Sequence, residues 1–488
     1  MQQTNKIHFL LFIALLLFSS CKKQDNITNF DSKNYPEEVA QIIINKCATA
    51  GCHTDASKAA AAGLSLSSWD QLFEGSHAGS PVIPYRDDQS YLMFSINPNP
   101  NLGISLSPTM PLNASPLSED EYTTLQDWIT SGAPNKDGLV KFADDPRRRK
   151  LYVTNQGCDM VSVFDAASQT LMRYIDVGSK DEMESPQQIK VSPDGKYWYT
   201  IFFAGTVIQK FNAIDDRFVA EAEMGTGNWR NLRISSDSKF AFVVNWSDNG
   251  SIAIVDLDNM QLINTYGGSS LFELPLGAYL NGANDQLYIT AQHGNFIYKI
   301  DISDMDNPLV EKISLNGISP TIISWLNPHE ILMTPDESKY FITCEESNEV
   351  RVFQTENDSL LNIIPTGVFP QEMALSEATP YLFVTCTEDS ITYPGQLGSV
   401  QVIDYNTNTL VKTIYTGYQP QGIIVDDNEQ LVYVVHRNKN SDGPMPHHVT
   451  DCEGRNGYVT IIDLNSLELL PDYKVEVAVD PYGIAVRE

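Results

Sequence analysis

One short strand pattern, repeated along most of the chain, constrains the fold more than any other feature. It reads Leu151-Tyr152-Val153-Thr154, Tyr197-Trp198-Tyr199-Thr200, Phe240-Ala241-Phe242-Val243, Leu287-Tyr288-Ile289-Thr290, Tyr340-Phe341-Ile342-Thr343, Leu382-Phe383-Val384-Thr385 and Val432-Tyr433-Val434-Val435. β-Branched and aromatic residues of this kind favour extended backbone. A second strand type precedes it, opening near Gln188, Asn231, Gly277, His329, Gln371, Gln421 and Tyr482, usually with an Asp- or Asn-containing turn such as Ser192-Pro193-Asp194-Gly195 between the two. The copies recur at about forty to fifty residues, which is the period of propeller blades. The two series are offset at their ends. Tyr482-Gly483-Ile484-Ala485-Val486 has no strand after it, and the strand at Leu151 has no partner directly before it. The economical solution is a C-terminal strand that completes the blade opened near Leu151, closing the ring and removing the sheet edges.

The expected architecture from residue 138 to residue 488 is therefore an all-β, seven-bladed β-propeller. With Tyr152-Val153-Thr154-Asn155 in its first blade, this region resembles the YVTN-repeat β-propeller family. The resemblance is specific for fold and weak for function, because propellers carry many unrelated activities.

The chain before residue 138 has a different character. A short helical pattern from Pro36 to Lys46 places Val39, Ile42 and Ile43 on one side and stops at Cys47. A second helix is expected from Ser118, where Ser118-Glu119-Asp120-Glu121 has the capping-box pattern and Tyr122, Leu125, Trp128 and Ile129 form the apolar stripe; Gly132 and Pro134 end it. The stretch between them is rich in Pro, Ser and Asn and ends in Ser107-Pro108-Thr109-Met110-Pro111.

Cys47-Ala48-Thr49-Ala50-Gly51-Cys52-His53 carries the most chemistry. Two thiols followed at once by His suit covalent haem attachment, since the thiols can add to the two haem vinyl groups while the imidazole binds iron. Four residues separate the cysteines where the usual motif has two. By the residues alone, a disulfide or a zinc site competes with haem.

The helix leading into the motif, the Pro-flanked Met110 and the closing helix with Trp128 resemble a class I cytochrome c in the order of their parts. Gly63-Leu64-Ser65-Leu66, Pro108-Thr109-Met110-Pro111 and Trp128-Ile129-Thr130-Ser131-Gly132-Ala133-Pro134 resemble the small cytochrome domain of planctomycete-type multidomain proteins. The resemblance implies an all-α cytochrome c domain over residues 36–136, with one haem c held by thioethers from Cys47 and Cys52. It also implies His53 and Met110 as the axial iron ligands. Met93, in Tyr91-Leu92-Met93-Phe94, and His77, in a Gly/Ser-rich loop, are the competitors for the sixth position. A thioether ligand favours reduced iron and raises the potential, which suits electron transfer better than oxygen chemistry.

Residues 1–21 read as an export signal. Lys6 and His8 form the polar start, and Phe9 to Phe18 is an apolar stretch short for a membrane span. Phe18-Ser19-Ser20-Cys21 resembles a relaxed lipobox, which implies lipidation at Cys21, although Phe18 departs from the small aliphatic residue usual there; an ordinary secretory cleavage nearby is the alternative. Residues 22–35 read as a polar linker. The expected location is outside the cytoplasm, on the periplasmic or cell-surface side, anchored to a bacterial membrane through lipid. The formal charge of -30 argues against nucleic acid or an anionic lipid surface as partner.

A second site is expected on the propeller. In an antiparallel blade the connection after the second strand and the connection into the next blade's first strand lie at the same end. This places His293, His329, His436, His447 and His448 on one face, with Cys158, Cys344, Cys386 and Cys452. The loop from Asn438 to Gly457, about twenty residues, is longer than most connections and holds Pro446-His447-His448 and Cys452. Neutral imidazoles and thiolates there suit a metal, a second haem or a small substrate. The plainer readings are turn polarity, as at Gln371 and Gln421, small buried residues at Cys344 and Cys386, and a disulfide between Cys158 and Cys452.

Three functions are consistent with these residues. The first is an electron-transfer protein whose propeller docks a redox partner or a small-molecule substrate. The second is an oxidoreductase resembling cytochrome cd1-type nitrite reductases, with a second cofactor on the propeller face. The third is a surface binding module with the haem as sensor.

Overall fold

The computed structural model describes residues 30–77, 79–179, 182–450, 452, 454–471 and 473–487. The signal segment, Cys21 and most of the linker lie outside them.

The propeller forms as expected, with seven antiparallel sheets of four or five strands. Blade 1 consists of Pro481–Arg487, Lys150–Asn155, Met160–Asp165 and Thr170–Asp176, in that order from the centre outward. The C-terminal strand lies antiparallel to the first strand of the ring, with Leu151 opposite Val486, Tyr152 opposite Ala485 and Val153 opposite Ile484. Blade 7 consists of Pro420–Asp426, Leu431–His436, Asn456–Asp463 and the outer pieces Glu468–Leu469 and Val475–Val479. Blade 5 begins with Pro328–Met333 followed by Lys339–Cys344.

Most innermost strands open on proline, at Pro186, Pro275, Pro328, Pro370, Pro420 and Pro481. Proline cannot donate to a ladder, so it suits the first residue of a strand that faces the central channel. A register shift follows each of these prolines, leaving a backbone N–H that the ladder does not use. The threonine of the repeated strand takes up that group. Thr343 Oγ1 accepts from Glu330 N at 2.9 Å and donates to Gln371 O of blade 6 at 2.8 Å. Thr154 and Thr385 make the same tie, and Thr290 links Gly277 N to His329 O. The repeat's hydroxyl thus joins neighbouring blades, a role that strand propensity alone does not explain.

The N-terminal unit has short helices linked by turns: α1 (Glu37–Ile42), α2 (Trp69–Leu72), α3 (Tyr91–Ile96) and α4 (Glu119–Thr130). The helix expected from Pro36 to Lys46 is α1 followed by a π-helical turn, Ile43–Cys47, in which Ala48 N donates to Ile43 O at 2.8 Å. The capping box forms as read: Glu121 N donates to Ser118 Oγ at 3.3 Å and Ser118 N to Glu121 Oε2 at 2.8 Å. After α4 the chain turns at Gly132, whose φ is +103°; a Cβ there would stand 2.7 Å from the Tyr85 ring. The indoles of Trp128 and Trp69 donate to Pro134 O and Ala133 O, both at 2.9 Å, and hold this turn against the unit's core.

The helical unit and the propeller share one apolar core. Val39, Ile43, Trp69, Leu125 and Ile129 belong to the same buried cluster as Tyr152, Val163, Met172 and Trp198 of blades 1 and 2. Polar contacts fix the seam: Ser80 Oγ donates to Leu171 O at 2.8 Å, and Arg86 pairs with Asp176 at 2.9 Å. No helix among the described residues is long and apolar enough to cross a membrane.

Candidate functional site

The seam between the helical unit and blade 7 encloses a cleft of about 820 Å³, and both expected iron ligands line it. His53 is placed by its own backbone, its N–H donating to Cys47 O at 3.2 Å and its carbonyl accepting from Leu66 N at 2.8 Å. Burial lowers the pKa of the half-buried ring, and a hydrogen bond to the Leu64 backbone opposes that shift. The ring is therefore neutral at pH 7, the form that can ligate a metal. Met110 lines the same cleft, tied by its N–H to Ser95 O at 2.8 Å in the last turn of α3. Ala60, Ala61, Ala62, Leu64 and Pro81 supply apolar wall.

The thiols flanking the motif differ. Cys47 is buried and Cys52 exposed, both are free, and neither lines the cleft. Burial pushes the Cys47 thiol up to about 11. Of the two competitors for the sixth position, Met93 is packed in the unit's core, 2% exposed, whereas exposed His77 lies at the rim of the cleft with its ring against Gly63.

Blade 7 forms the facing wall. The long loop brings in His447 and His448, and Tyr458, Tyr473, Lys474 and Glu476 complete it. Buried Glu476 organises the loop: its carboxylate accepts from His447 N at 2.8 and 3.0 Å and from His448 N at 2.6 Å, and His447 Nδ1 stands 3.3 Å away. His448 stacks on Tyr91 of α3 with centroids 4.2 Å apart, joining the walls. Burial pushes the His448 pKa down to about 4, so this ring is neutral at pH 7.

Of the propeller histidines expected to form a second site, His447 and His448 line the cleft and the others do not. His436 is fully buried behind the cleft wall, stacked on Tyr458 with its Nε2 2.9 Å from Thr460 Oγ1, and burial pushes its pKa down to about 3. His329 is buried at the start of blade 5's innermost strand, with Nδ1 2.8 Å from Glu345 and Nε2 3.5 Å from Glu372. His293 is exposed at the end of a blade 4 strand, its N–H bonded to Asn327 Oδ1 at 2.9 Å. Cys452 is joined to Cys158 by a disulfide, with Cα atoms 5.5 Å apart. Cys344 and Cys386 are buried. Among the described residues, no three His, Cys, Asp or Glu side chains form a group that could hold a metal.

Tyr91, Lys474 and Glu476 were not singled out from sequence. The cleft joins segments distant in sequence, so no local spacing marks them. The one available signal was a Lys and a Glu at alternate positions entering a buried strand.

Fold and cleft together define the class: a seven-bladed β-propeller with an N-terminal helical unit packed against blades 1, 2 and 7. No family model matches the chain. Over 306 residues it is 23% identical to antigen Lp49 of Leptospira interrogans serogroup Icterohaemorrhagiae serovar copenhageni, in an alignment covering 60% of this chain and 63% of that protein. It therefore spans 63% of the length of the curated relative it matches. A functionally unknown protein from Desulfotomaculum acetoxidans DSM 771 is similar in structure, with TM-score 0.52 and 15% identity over 69% of this chain and 98% of that one. Dihydro-heme d1 dehydrogenase NirN in complex with DHE aligns with TM-score 0.49 and 14% identity over 75% of this chain and 86% of its own.

Proposed function

We propose that this chain is an exported redox protein that carries one covalent haem c between its helical unit and blade 7 and transfers electrons, while the propeller docks a redox partner or a small substrate. The observation that carries the reading is the convergence of His53 and Met110 on one cleft of about 820 Å³ with free Cys47 and Cys52 beside it. The donor set fits the group, because imidazole and thioether are a familiar axial pair and the walls beside them are apolar.

Cys47 and Cys52 would hold the porphyrin through thioethers. His53, positioned by Cys47 O and Leu66 N, would offer a neutral ring nitrogen, and Met110, fixed by Ser95 O, its sulfur. Haem so ligated supplies one-electron chemistry at a raised potential. Blade 7 and Tyr91 of α3 line the same cleft, which would place the propeller beside the haem. His293, His329 and His436 stand outside the cleft that His447 and His448 line, and the proposed redox centre is the single haem. An exported location accords with the Cys158–Cys452 disulfide, since such bonds persist in oxidising compartments; lipid anchoring through Cys21 is part of the same proposal.

Replacing both Cys47 and Cys52 by Ala tests the attachment. In a host with c-type haem maturation, wild-type protein should retain haem on a denaturing gel and the double variant should not. Retention by the double variant would refute the assignment.

A further inference from the structure

The cleft wall supplied by blade 7 contains a cation with no ion-pair partner among the described residues. Lys474 is the only Lys or Arg among the described residues lining the cleft. Its ammonium lies over the Tyr458 ring, 4.3 Å from the centroid. No described carboxylate forms an ion pair with it. Glu476, two positions on, is engaged by the backbone of His447 and His448. Burial, more than any other factor, pulls the Lys474 pKa down, with Glu476 opposing. A half-buried cation beside apolar wall is costly unless an anion joins it.

The proposed haem would bring its own anions. Thioethers form at the vinyl-bearing edge of a porphyrin, and the two propionates project from the opposite edge. Lys474 lines the same cleft as His53 and Met110, so those carboxylates would enter a space that holds its ammonium.

We propose that Lys474 pairs with the haem propionate carboxylates, which makes the propeller part of the haem site and a determinant of its potential. This rests on the haem assignment above. Charge on the propionates is then balanced by the ammonium, and Tyr458 holds the lysine stem in place. A positive charge near iron favours the reduced state, so its removal lowers the potential.

The test uses the full-length holoprotein with Lys474→Gln, Lys474→Arg and Lys474→Met, reading covalent haem on a denaturing gel and midpoint potential by spectroelectrochemical titration. The expected result is haem retained throughout, with the midpoint shifted to lower potential in Lys474→Gln and kept near wild type in Lys474→Arg. If Lys474→Gln fails to fold, Lys474→Met should give the same downward shift. An unchanged potential in a folded, haem-bearing Gln or Met variant would overturn the pairing while leaving the haem assignment standing. Wild-type protein without haem would overturn the assignment itself, and the pairing with it.

Discussion

His329 shows how one buried residue can look like a ligand in sequence and serve as a charge in the fold. It opens an inner strand, where Gln371 and Gln421 stand in the next two blades, and that polar position was legible without coordinates. Its partners were not, because Glu345 follows a second strand and Glu372 belongs to blade 6. Burial alone would lower the His329 pKa, but the two carboxylates hold it well above its ordinary value. A histidine with a raised folded pKa contributes stability in full below its unfolded pKa of about 6.5, and loses it as pH rises through the folded value. The stability of the propeller should therefore fall across the neutral-to-alkaline range, and His329→Gln should flatten that part of the profile in urea unfolding followed at several pH values. A His329→Gln profile parallel to wild type would show that the ring is neutral in the fold. The histidines at 436 and 448 take the opposite course, kept neutral by burial next to aromatic rings. Residue type and spacing placed these imidazoles near one face, but each one's chemistry depends on neighbours from other blades or from the helical unit.

At the level of elements, the repeated strand was readable because its alternation of apolar residues and terminal threonine survives in most blades. The closing strand was readable because the repeat count came out uneven at the two ends. The tie made by the threonine could not be read, since it depends on the register shift behind each opening proline. Thr343→Val keeps the shape and deletes the hydroxyl, leaving the Glu330 N–H without its acceptor. The cost of an unsatisfied buried donor is about 1–3 kcal/mol. Val244 and Val435 stand at the matching places in blades 3 and 7, so the side chain itself is tolerated. A urea midpoint lowered accordingly is expected for Thr343→Val, and an unchanged midpoint would mean that another group serves the bulge. In the helical unit, Ser118 to Glu121 announced α4 to the residue, because a capping box is a local device. The π-helical turn at Ile43–Cys47 had no comparable signal; an unbroken apolar stripe suits a regular helix equally well.

For the whole molecule, the cleft matters more than either unit alone. The sequence divides into a helical part and a ring, and that division is correct as a description of elements, but the two share a core that runs from Val39 and Trp69 to Met172 and Trp198. The expected haem ligands stand on one side of the seam, and Lys474, His447, His448 and Glu476 on the other. Linear reading could not join them, because the long loop of blade 7 reaches the helical unit only once the ring has closed. The proposed electron transfer requires a haem in that seam. A pyridine haemochrome assay on the full-length protein, exported from a host competent in c-type haem maturation, measures it most directly. One c-type haem per chain, resistant to acid-acetone extraction, is the predicted result; colourless, correctly folded protein would contradict it.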